Sequence, residues 1–233
     1  MTFPPRFRRT ATVVLGACLA AIVAGCSFEA GDRDNPILRS FAWFSYLNGD
    51  DIRSYCKGGG PDRYRIVYNG NWDEQVRTYD LTADSAGGAE LVVQVSGDLD
   101  VSTIKLADPL GPWRGKIVRR HLSRGEFRAI RDALHGSGFD TPPPAGIRLQ
   151  SWSYFWLAAG CESGRFAFNG WAYPSARFKA VTLQVPLMAV DGSGVAFAPA
   201  RDTDRPRSVD RQEKSYYELA ITAEGIRDNF TPF

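Results

Sequence analysis

The chain has 233 residues, 44% of them hydrophobic, and a formal net charge of +2 from 28 Lys and Arg against 26 Asp and Glu. That length suits one α+β domain with a sizeable core. The near balance of charge gives no grip on a polyanion, and two histidines with no ligand cluster around them do not make a zinc site.

The N-terminus carries Arg6, Arg8 and Arg9 and no acid, and Ala11 to Val23 are apolar or small apart from Thr12. This is the pattern of a secretory signal, and the run is shorter than the roughly 20 apolar residues that span a bilayer. It ends at Val23-Ala24-Gly25-Cys26, which resembles the lipobox of bacterial lipoproteins. The resemblance covers residues 1–27. It implies that the Cys26 thiol receives diacylglycerol, that residues 1–25 are cut away, and that the new amine is acylated, palmitate being the usual chain. One acyl chain binds membrane marginally, at about 0.8 kcal/mol per buried methylene, whereas several on one cysteine hold firmly. In that family a serine after the cysteine, here Ser27, favours the outer membrane over the inner one. The expected location is the cell envelope, lipid-anchored and facing the periplasm.

Removing residues 1–25 takes away three arginines and no acid, so the formal charge becomes −1. No nucleic-acid partner is expected. With Cys26 lipidated, Cys56 and Cys161 remain as an even pair. In an oxidising compartment they read as a disulfide; two buried reduced thiols are the alternative.

Residues 26–35 read as a lipidated cysteine and a polar tether, and 36–233 as a single domain. Asn35-Pro36 opens an amphipathic helix over 36–47, and Asn48-Gly49 ends it. Asp50 caps a further turn carrying Ile52 and Cys56, before the break at Lys57-Gly-Gly-Gly-Pro61. Tyr64–Tyr68, Val76–Leu81 and Glu90–Ser96 alternate as strands, separated by Asn69-Gly70-Asn71 and Gly87-Gly88. Gly97–Pro112 is irregular, and Trp113–Leu122 is a fourth strand of an antiparallel meander. Ser123 and Glu126 fit a capping box for a helix over 124–135. Ile147–Ala159 reads as one long strand, with Trp152, Tyr154 and Trp156 on one face and Ser151, Ser153, Phe155 and Leu157 on a solvated other face. Glu162-Ser-Gly164 turns the chain into a return strand over 165–171. Leu183–Val190 reads as a strand that Pro186 confines to an edge or bulge. Asp191-Gly-Ser-Gly194 is a turn, Pro199–Glu213 a mobile surface loop, and Tyr216–Ile221 the last strand. The expected fold class is α+β, an antiparallel sheet of about six to eight strands packed with two main helices.

No nucleophile elbow, phosphate loop or dinucleotide fingerprint is present. His121 and His135 stand at element ends beside arginine or glycine, where a solvated or capping role is the simplest. Asp202-Thr-Asp204 lacks the rest of a calcium loop. No catalytic residue, metal ligand or cofactor is therefore assigned. Trp152, Tyr154 and Trp156 are candidate ligand-binding rings, because aligned aromatics stack on sugars; the competing reading places them in the core. The expected function is a non-catalytic structural or interaction module, with the membrane as one partner and an envelope protein or glycan as another. A ligand- or glycan-binding lipoprotein and an envelope hydrolase using Glu162, His121 or His135 are the alternatives.

Overall fold

Alternating strands joined by glycine and asparagine turns build the centre of the computed structural model, which describes residues 43–97, 115–204 and 216–227. The lipobox, the tether, the start of the first helix, the 98–112 stretch and most of the 199–213 loop lie outside the described residues. Strands β1 (Arg63–Gly70), β2 (Gln75–Ala83), β3 (Ala89–Gly97) and β4 (Lys116–Leu122) form the antiparallel meander that the turn chemistry predicts. Asn71 takes a positive φ of 64° in the first turn, a conformation asparagine tolerates. Strands β6 (Tyr154–Glu162) and β7 (Arg165–Ala172) add to the free edge of β1, giving a six-stranded sheet of order β4-β3-β2-β1-β6-β7. Strands β5 (Arg148–Gln150), β8 (Glu218–Thr222) and β9 (Gly225–Arg227) form a separate three-stranded sheet. The class is α+β, as expected, but the last strands build the second sheet rather than extend the first.

Helix α1, described over 43–48, is followed through Gly49 by α2 (Asp50–Cys56). Gly49 itself is the N-cap of α2, at φ 68°, and a Cβ there would stand 2.5 Å from the Ala159 Cβ. Only glycine fits. Asp50 sits in the first turn instead of capping it, accepting from Ser45 Oγ at 2.7 Å and Asn48 Nδ2 at 2.6 Å. Helix α3 (Arg124–Gly136) starts with the predicted capping box: Glu126 N donates to Ser123 Oγ and Ser123 N donates to Glu126 Oε2.

Two expectations fail here. Leu183–Val190 is not a strand but contains helix α5 (Gln184–Val190), which follows the short α4 (Ala176–Lys179). Leu183, Leu187 and Val190 recur at helical spacing and all three are buried. Pro186 falls in the first turn, where its missing N–H costs little. Ile147–Ala159 is not one strand either. Ser151–Ser153 turns between β5 and β6, because the turn satisfies polar groups that a strand leaves open. Ser151 Oγ accepts from Tyr217 N at 2.8 Å, and Asn69 Nδ2 donates to the carbonyls of Ser151 and Ser153 at 2.9 and 2.6 Å. Trp152 therefore does not share a strand face with Tyr154 and Trp156.

The sheet is also covered on both sides where a solvated face was expected. On one side Ile66, Tyr68, Leu81, Val93, Tyr154 and Trp156 pack under Phe127, Ile130 and Leu134 of α3 and Leu187 of α5. On the other, Val67, Phe155, Leu157 and Phe168 pack against Tyr46, Leu47 and Ile52 of α1 and α2 and Leu149, Leu219 and Ile221 of the small sheet. Burial in β1 and β6 is thus nearly continuous, the signature of a strand buried on both faces. Two devices fix α2 in this second layer. Cys56 and Cys161 form the disulfide, with Cα atoms 5.5 Å apart across a separation of 105 residues. Arg65, only 3% exposed, reaches both oxygens of Asp51 at 2.7 and 3.0 Å, Asp80 at 2.6 Å and the Tyr46 carbonyl at 2.9 Å. Burial pushes the Asp51 carboxyl up, but the bonds and charge of Arg65 outweigh it and hold the group below its usual value.

Candidate functional site

The three aromatic candidates are core residues: Trp152, Tyr154 and Trp156 are 4%, 1% and 3% exposed. Trp156 lies opposite Tyr68 on β1, with ring centroids 4.6 Å apart. Phe197 then closes the pair, stacked 4.4 Å from Tyr68 and 6.2 Å from Trp156. The aromatic strand as such offers no open ring face to a ligand.

Phe197 belongs to an irregular strap, residues 191–204, that is bonded to Tyr68 of β1 and to Gln75 and Arg77 of β2. The strap is pinned by Arg77, a residue with no exposed surface near the start of β2. Arg77 donates to Asp191 Oδ2 at 2.7 Å, to the carbonyls of Val195 and Ala196 at 2.6 and 2.9 Å, and to Gln75 Oε1 at 2.7 Å. Gln75 in turn donates to the Ala196 carbonyl at 2.8 Å and accepts from Ala198 N at 3.1 Å. Asp191 also accepts from the Tyr79 hydroxyl at 2.9 Å and from Ser193 N at 2.9 Å. Burial opposes ionisation of Asp191, but the Ser193 bonds, the Tyr79 hydroxyl and the Arg77 charge together hold its carboxyl below the usual value. Burial, with the Asp191 charge, pushes Tyr79 up and keeps it neutral. The far end of the strap is held at the surface, where Tyr173 Oη donates to Asp202 Oδ1 at 3.0 Å and Arg201 pairs with Glu74.

Between the strap, the Ser151–Ser153 turn and the Tyr173–Pro174 corner lies a shallow cleft of about 280 Å³. Trp152, Tyr173 and Pro174 line it together with the polar residues Gln150, Ser153, Asp202 and Thr203. A more open cleft of about 420 Å³ lies beside the disulfide, with Arg53 and Phe166 in its lining. Arg53 there is already committed to the Glu224 carbonyl and to the face of Phe166, 4.0 Å away.

Two of the three candidate hydrolase residues meet. His135 Nε2 stands 3.1 Å from Glu162 Oε2, while His135 Nδ1 is 2.6 Å from Asp140 Oδ2. Arg131 holds the other Glu162 oxygen. Both carboxylate oxygens of Glu162 are thus engaged within the fold, an arrangement that ties the end of α3 to the β6–β7 hairpin. His121 is elsewhere, paired with Asp84 at 2.7 Å and 57% exposed at its side chain. Among the described residues, no group of three or more His, Cys, Asp and Glu is arranged to hold a metal ion.

Sequence reasoning missed the Arg77 pin. The signal was available: an arginine in phase with Tyr79 and Leu81, on the apolar side of a strand, needs a buried acceptor. In the sequence, Asp191 in Asp191-Gly-Ser-Gly194 reads only as turn chemistry. No protein family, curated protein or solved structure matches the chain.

Proposed function

We propose that this chain is a lipid-anchored cell-envelope protein whose α+β domain acts as a non-catalytic interaction module. Cys26 carries the lipid, residues 26–35 tether the domain, and the domain faces the periplasm, with the outer membrane favoured by Ser27. The observation that carries the reading is the Cys56–Cys161 bridge. Such bridges persist in oxidising compartments, and this one accounts for every cysteine after the signal except the one in the lipobox. None of the helices in the described residues is long and apolar enough to cross a membrane. The non-catalytic part rests on how the titratable clusters close on themselves at Arg77–Asp191 and at Glu162. Metabolic labelling with a palmitate analogue tests the anchor: wild type takes up label and Cys26→Ala does not. Label retained in Cys26→Ala contradicts the reading.

A further inference from the structure

We propose that the 280 Å³ cleft beside the strap is a binding site for a single uncharged sugar ring, hydroxylated or N-acetylated. It rests on the envelope reading for where such a ring is met, but not for the site itself. Size sets the first limit. Drug-sized pockets begin at roughly 300 Å³, so this one suits one pyranose rather than a long oligosaccharide.

The lining chemistry sets the second. Tyr173, partly exposed, and Pro174 offer ring and methylene surface to the C–H face of a pyranose, with the buried Trp152 behind them in the lining. No lysine or arginine is among the lining residues, and Asp202 is, so a phosphate or carboxylate ligand meets repulsion. One carboxylate alone is a poor cation site. Hydroxyl groups, by contrast, find acceptors with capacity to spare. Asp202 uses Oδ1 for the Tyr173 hydroxyl, which leaves Oδ2. Gln150 donates Nε2 to Glu218 at 2.8 Å, which leaves Oε1. Ser153 Oγ reaches the Tyr173 carbonyl only at 3.5 Å, so a ligand hydroxyl at normal distance competes well.

The walls are also set before any ligand arrives. Asn69 holds the 151–153 turn, Tyr173 packs edge-on against Tyr154 at 6.0 Å, and the Arg77 pin orients the strap. Preformed walls lower the ordering cost of binding. A small, shallow, preformed site of this kind predicts a Kd of about 1–10 mM.

Saturation-transfer NMR on the mature lipoprotein in detergent tests this, with N-acetylglucosamine, glucose and inorganic phosphate as probes. The expected result is transfer to the ring C–H protons of a sugar, with phosphate failing to compete. Asp202 is exposed, so Asp202→Ala keeps the fold while weakening sugar binding about 10-fold or more, the range for losing a hydrogen bond to a charged acceptor. Tyr173→Phe keeps the ring and retains binding; Tyr173→Ala loses it. No transfer from either sugar at tens of millimolar overturns the proposal, and so does undiminished binding by both Asp202→Ala and Tyr173→Ala. Either failure leaves the lipid-labelling result standing, because sugar binding in detergent does not depend on the anchor.

Discussion

Replacing Asp191 by alanine removes the counter-ion of a guanidinium that has no exposed surface. Arg77 keeps its bonds to Gln75, Val195 and Ala196, but these acceptors are neutral. Leaving one partner of a buried pair unpaired costs about 3–5 kcal/mol. The Tyr79 hydroxyl also loses its 2.9 Å acceptor, by itself about 1–3 kcal/mol if it stays dry. The two losses overlap, since water admitted at one group reaches the other, so a total of about 4 kcal/mol is expected. Against a typical stability of about 5–15 kcal/mol that is a large fraction. Urea unfolding followed by far-UV circular dichroism measures it, as a lower midpoint at unchanged slope. The double variant Arg77→Met/Asp191→Ala removes the stranded charge and regains at least about 1 kcal/mol over Asp191→Ala. A loss below about 1 kcal/mol for Asp191→Ala, or a double variant equal to the sum of the singles, refutes the claim that this pair pins the strap.

Further outcomes follow from the same structure. Cys56→Ser/Cys161→Ser opens a loop of 105 residues and lowers stability by up to about 4–5 kcal/mol on the chain-entropy argument; an unfolding free energy from urea titration within about 1 kcal/mol of wild type rejects that argument. Ser123→Ala breaks the capping box of α3 and costs about 1 kcal/mol in the same assay, with no loss at all as the contrary result. Asp51 and Asp191 are both held below their usual carboxylate values in the folded state. Their stabilisation is therefore full above the unfolded value near 4 and is lost as pH falls through the lower folded values. Unfolding midpoints between pH 5 and pH 2 should drop, and the drop should be shallower in Asp191→Ala; equal slopes contradict the assignment.

Local chemistry made much of this fold legible. The β1–β4 meander follows from Asn69-Gly70-Asn71 and Gly87-Gly88, and α3 from Ser123 and Glu126, because each signal lies within a few residues of what it specifies. The failures share a different cause. Leu183-Gln-Val-Pro-Leu-Met-Ala-Val190 satisfies both a period of 2 and a period of 3.6 over so short a stretch, and the packing of Leu187 and Val190 decides between them. Ser151–Ser153 turns because Asn69, 82 and 84 residues away, satisfies its carbonyls. The cleft was illegible for the same reason: Gln150, Tyr173 and Asp202 come from three separate segments and meet only once the strap is pinned. The aromatic pattern at 152–156 was real, but it records a core covered on both faces and not a surface.

The anchored-module account meets its most direct test in the mass of the protein extracted from envelope membranes with detergent and digested without reduction. The account predicts an N-terminal peptide beginning at Cys26 with diacylglycerol on its sulfur, and a Cys56 peptide linked to a Cys161 peptide. A chain whose first residue is not Cys26, or a Cys26 free of lipid alongside free thiols at Cys56 and Cys161, contradicts it.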